Sequence, residues 1–182
     1  MLLKSTVHFI ILYLLVGFGQ PLWAQKNFTQ SSLFTSQEND LLQQNQLFQL
    51  YAFIGLHQAD QYPIIEYQQN FYTFLDELGI DQIPQPYDKA DKLYNAIQEN
   101  YLLSYAEKSL FVEIFTAQQF NSVTGTALYA LALSYLNIPY QIKTNPQHAY
   151  LVAYPNETEV IFDCTAEFSD CLLYTSPSPR DS

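Results

Sequence analysis

The stretch FNSVTGTALYALALSYLNIP, Phe120 to Pro139, limits the choice of fold more than any other part of this sequence. A polar opening, Phe120-Asn121-Ser122, leads into small and apolar residues at helical spacing, and Asn137-Ile138-Pro139 turns the chain. The pattern predicts a helix from about Val123 to Leu136. Three short runs that read as strands follow: Tyr140 to Lys143, Ala149 to Tyr154 and Val160 to Cys164. Upstream, helical spacing runs from Asp40 to about Gln58 through Leu42, Leu47, Leu50, Tyr51 and Ile54. A second helix is expected from Ile64 to Leu78, closed by Gly79 in a C-cap position. Asp88 to about Phe115 reads as one long helix or two joined ones. Helices first and strands second favour an α+β fold, with helices packed on an antiparallel sheet.

The two ends are set apart from that fold. Residues 1–24 carry one basic residue, Lys4, an apolar run from Phe9 to Phe18, and Ala24 before Gln25. This is the pattern of a signal peptide cleaved after Ala24, and it places the mature chain in the periplasm or outside the cell. The apolar run is short for a transmembrane helix, so no stable membrane insertion is expected once it is removed. Residues 25–39 are rich in Gln and Asn and are expected to form a polar leader. At the far end, CLLYTSPSPRDS (171–182) changes composition abruptly and holds the sole arginine, Arg180. It resembles the translation of a sequencing adapter on a metagenomic read, which implies that the natural chain continued past Asp170 and is truncated here. Cys164 is then left without a disulfide partner, and a single cysteine defines no redox or metal site.

The remaining 40–170 suffices for one domain, and 48% hydrophobic content over the chain supplies a packed core. Eighteen acidic residues against seven basic ones give a net charge of −11. Such a surface excludes phosphate-backbone recognition, so no nucleic-acid partner is expected. His57 and the tyrosines of the first three helices read as packing residues.

Three polar residues of the last third could carry chemistry together. Ser122 opens the small-residue helix, His148 opens the strand HAYLVAY, and Asp163 closes the next strand in IFDCT. A nucleophile at a helix N-terminus sits in the positive end of the helix dipole, and main-chain N–H groups there can form an oxyanion hole. A histidine on an adjacent strand can act as base, and a carboxylate on the next strand can orient its ring. Serine is also a preferred N-cap, so Ser122 read by itself is equally a structural residue. Cys164 follows Asp163 and by strand alternation points to the opposite face, away from a role as nucleophile.

FNSVTGTALYALALSYLNIPYQIK, PQHAYLVAYP and VIFDCT together resemble the core of the transglutaminase-like family, in the papain-like cysteine-protease superfamily. The resemblance spans roughly Phe115 to Ala166, giving a core (115–170) preceded by a helical lead-in (40–114). It implies a central helix packed on a small antiparallel sheet. His148 matches the family's histidine, and Asp163 with Thr165 its Asp-x-Thr sequence. Ser122 stands where the family keeps its cysteine. The resemblance implies no metal or organic cofactor.

That serine divides the functional expectation. A thiol has a pKa near 8.5 and ionises readily beside an imidazolium, whereas a serine hydroxyl must lose its proton during attack. One reading is a catalytically impaired domain that holds a peptide, a protein or a peptidoglycan-like ligand in its cleft. The other is an active acyl-transfer or amide-hydrolysing enzyme using Ser122, His148 and Asp163.

Overall fold

A computed structural model describes residues 36–53, 62–145 and 148–165. The expected signal peptide, most of the expected polar leader, His57 and the segment after Thr165 lie outside the described residues. Helices α1 (Ser36–Gln43), α2 (Leu47–Phe53), α3 (Ile64–Glu77) and α4 (Pro86–Tyr101) form the N-terminal part. Strand β1 (Ser104–Tyr105), helix α5 (Glu113–Ala117) and strand β2 (Gln119–Phe120) lead into helix α6 (Ser122–Tyr135). Strands β3 (Tyr140–Asn145), β4 (His148–Ala153) and β5 (Val160–Phe162) follow and form an antiparallel sheet in the order β3-β4-β5. The α+β class expected from the order of patterns is the class observed.

Helix α6 is the axis of the fold. Every residue from Thr124 to Leu133 is buried, so the helix has no solvent stripe. A helix apolar all round is stable only when surrounded. It is covered on one side by β4 and on the others by α2, α3 and β2. Ala149, Leu151 and Ala153 alternate along the buried face of β4, and Leu151 pairs with Phe162 of β5. Phe162 closes the layer edge-on against Tyr94 and Tyr129, whose rings stack at 5.4 Å. Burying Leu128, Leu131 and Leu133 stabilises the core by roughly 2 kcal/mol each. A second aromatic layer joins the early helices, with Phe48 against Phe71, Phe111 and Phe115.

Three boundaries differ from the periodicity. The helix expected over Asp40 to Gln58 is broken at Asn45, whose φ of 57° is left-handed, and α1 reaches back to Ser36. Asn39, at the end of the expected leader, is buried. The segment expected to be helical from Asp88 to Phe115 is interrupted after Tyr101. Ser104 N–H donates to Gln118 O, and Ala106 N–H to Phe120 O. The chain therefore pairs Ser104 and Tyr105 with β2 in parallel before α5 begins at Glu113. A two-residue strand has no periodicity to read. Gly79 closes α3 in the left-handed region at φ 61°, as its position after the apolar pattern implied.

Candidate active site

The mouth of α6 is organised by Asn121, which is buried. Its Oδ1 accepts from the N–H groups of Val123 and Thr124, and Thr124 Oγ1 accepts from Asn121 N–H at 2.9 Å. Its Nδ2 donates to Ser109 O at 2.9 Å and Glu107 O at 3.3 Å. Asn121 is thus the N-cap, and it also ties the helix to the loop after β1. Ser122 is the first helical residue and not the cap, which removes the structural role that its type suggested. The cap also consumes main-chain donors expected for an oxyanion hole. Val123 and Thr124 N–H bind Asn121 Oδ1, and Gly125 N–H binds Asn121 O. Of the first turn, this leaves the N–H of Ser122 itself.

His148 and Asp163 are brought together. His148 Nε2 lies 2.8 Å from Asp163 Oδ2, and the two side chains are 23% and 21% exposed. Asp163 Oδ1 accepts from Thr165 N–H at 2.9 Å and from Thr165 Oγ1 at 2.8 Å. Burial pushes the Asp163 carboxyl up, but the bonds from Thr165 and His148 outweigh it and hold the carboxyl below its ordinary value. A carboxylate only accepts, so Nε2 carries the hydrogen, and a neutral ring then has its lone pair on Nδ1. Among the described residues Nδ1 has no partner, and it is the nitrogen left to act as a base.

The backbone under Asp163 is fixed from the helices. Tyr94 Oη donates to Asp163 O at 2.8 Å, and Gln98 Nε2 to Cys164 O at 3.3 Å. Tyr129 Oη, from the middle of α6, donates to Gln98 Oε1 at 3.0 Å. The sequence pattern assigns Tyr94 to packing alone. Its hydroxyl also positions the carboxylate strand, and the signal was available, because a tyrosine buried in an apolar layer needs a hydrogen-bond partner.

Two contacts seat α6 beside this pair. Thr126 Oγ1 donates to Ala149 O at 2.9 Å, next to His148. Cys164, next to Asp163, packs on Gly125 and directs its Sγ at the carbonyls of Asn121 and Ser122, 3.7 and 3.8 Å away. Cys164 is buried against the helix start. Ser122 precedes Gly125 and Thr126 by three and four residues, so helical periodicity puts it on the face of α6 that meets these two strands. Its hydroxyl is half-buried and makes no hydrogen bond among the described residues, to His148 or otherwise.

A cleft of about 490 Å³ opens at His148. His148, Thr165, Gln98 and Cys164 line it together with Leu102, Leu103, Tyr105 and Phe120. Of its apolar lining, Leu103 and Tyr105 are exposed, at 56% and 57%, and Leu102 and Phe120 are buried. Ser122 does not line it. Among the described residues no three His, Cys, Asp or Glu side chains gather into a set that could hold a metal ion. No helix among them is long and apolar enough to cross a membrane. No protein-family model, curated protein or solved structure matches the chain.

Proposed function

We propose that the chain is a transglutaminase-like domain acting in the periplasm or outside the cell, catalytically impaired, that holds a peptide or peptidoglycan-like ligand in the cleft beside His148. The observation that carries this reading is the separation of Ser122 from its base. The His148–Asp163 pair is built and buttressed, yet the Ser122 hydroxyl bonds neither residue and lines no part of the cleft. A thiolate–imidazolium pair is held together by its charges, and a neutral hydroxyl lacks that attraction. The apolar lining of Leu103, Tyr105 and Phe120 offers ring and aliphatic surface to a side chain, and the polar lining offers the groups that would meet an amide. The signal-like start of the sequence supports the extracytoplasmic location.

A second reading, acyl transfer or amide hydrolysis, draws on the unpartnered Nδ1 of His148. In it the Ser122 oxygen bonds to the substrate carbonyl carbon while its proton passes to Nδ1. The C–N bond then breaks, and the amine leaves with that proton.

Labelling separates the two. With a fluorophosphonate probe the wild-type chain is expected to give no adduct, and with iodoacetamide S122C is expected to be alkylated at that position at neutral pH, with loss of the reaction in S122C/H148A. Peptide mapping distinguishes this position from the buried Cys164. A fluorophosphonate adduct on wild-type Ser122 establishes the enzyme. An S122C thiol inert at neutral pH overturns the pairing of position 122 with His148 that the second reading needs.

A further inference from the structure

A second hollow, of about 450 Å³, lies where Gln118 leads into β2, and its lining differs in chemistry from the first. Asn70, Asn100, Thr116 and Gln118 contribute carboxamides and a hydroxyl, and Tyr67 and Tyr101 contribute aromatic rings. None of the described residues that line it is charged. An anionic ligand would find no cation here and a cationic ligand no carboxylate. A lipid chain would strip water from three amides without replacing it, at a cost of about 1–3 kcal/mol for each unsatisfied group.

The hydrogen-bonding capacity left over is specific. Asn100 Nδ2 gives one hydrogen to Ala96 O and Gln118 Nε2 one to Asn100 O, which leaves each amide its second N–H as a donor and its oxygen as an acceptor. The Asn70 amide makes no bond among the described residues, so it keeps both donors and its acceptor. The Tyr67 ring is held in place by stacking on Phe115 at 5.5 Å, and the Tyr101 ring by edge contacts with Phe71, Phe74 and Phe115. Fixed rings with electron-rich faces, beside fixed amide acceptors and a free amide, match a ligand with C–H faces and a rim of hydroxyl or acetamido groups. The volume falls in the range of a small-ligand site, roughly 300–1,000 Å³.

We infer that this hollow binds an uncharged saccharide unit. The segment from Asn100 to Leu103 contributes its first two residues to this hollow and its last two to the cleft at His148, so the two sites adjoin. That the sugar and the peptide belong to one ligand rests on the reading given above, whereas the saccharide site does not.

Chitotetraose titrated into the full chain, followed by calorimetry or amide chemical shifts, tests the inference. Binding is expected with a dissociation constant on the order of 1 mM or tighter. N70A, at an exposed helical position, and Q118N, which tolerates the left-handed backbone there, are each expected to weaken it about fivefold, the loss of one net hydrogen bond. H148A is expected to leave it unchanged. Absence of binding by a folded chain, or binding that ignores both N70A and Q118N, overturns the site. Thiol labelling of S122C, insensitive to N70A, reports on the other cleft separately, so either site can fail alone.

Discussion

Gly125 of α6 and Cys164 after β5 share a space that admits no further atom. A Cβ on Gly125 would stand 2.6 Å from Cys164 Sγ and 3.0 Å from its Cβ. In an exposed helix, Gly→Ala stabilises by about 1 kcal/mol through propensity. Here G125A is expected to destabilise by about 1–3 kcal/mol, because the helix start must lift off the strand. C164A removes the sulfur and is expected to return part of the loss. The check is a double-mutant cycle from urea melts, with a coupling above about 0.5 kcal/mol expected. Additive effects would show that the two residues do not touch.

Asn121 serves two structures at once, and two substitutions separate them. N121D keeps the oxygen that caps Val123 and Thr124 but loses the donor to Ser109 O and Glu107 O. N121A loses both. N121A is expected to cost about 2 kcal/mol or more, the cap contributing about 1 of these, and N121D less. Equal losses in denaturant melts would mean that the cap contributes nothing.

The Asp163 carboxyl, held below its ordinary value, links stability to pH. A depressed carboxylate contributes stability that is complete above the unfolded value, near 4, and is lost as pH falls through the folded value. The stability difference between wild type and D163N is therefore expected to be constant at neutral pH and to shrink in acid below about pH 4. T165V removes the hydroxyl bond to Oδ1 and is expected to move that loss to higher pH. A difference that does not vary with pH contradicts the depressed value.

Tyr94 acts on the carboxylate strand through one hydroxyl. Y94F keeps the stack on Tyr129 and deletes the bond to Asp163 O. A loss of about 1 kcal/mol is expected. In an S122C background the pH profile of alkylation is expected to shift as well, which a purely structural tyrosine would not cause. An unmoved profile with reduced stability assigns Tyr94 to packing alone.

The parts of the fold that were legible in the sequence are those whose pattern is set by burial on one side or on all sides. Helix α6 has an unbroken small-and-apolar run, and β4 alternates Ala149, Leu151 and Ala153 toward the core. His148 and Asp163 could be paired on paper because they close the same end of neighbouring strands. The cap was harder. Asn121 and Ser122 are both good capping types in adjacent positions, and the choice is made by Thr124 three residues on and by two loop carbonyls that no local pattern reveals. The β1–β2 pairing was invisible for the same reason, since its partners are fifteen residues apart and two residues long. The carboxamide hollow draws on α3, α4 and α5 together, and no motif joins them.

His148 and Asp163 are only fifteen residues apart and are joined by a single reversal between β4 and β5, whereas Cys164 reaches Ser122 across forty-two. Closing a short loop costs less chain entropy and proceeds faster than docking a distant helix. The imidazole and its carboxylate therefore meet across a shorter loop than the one that brings Cys164 to Ser122. A substitution at Ser122 is accordingly expected to leave the His148–Asp163 contact in place.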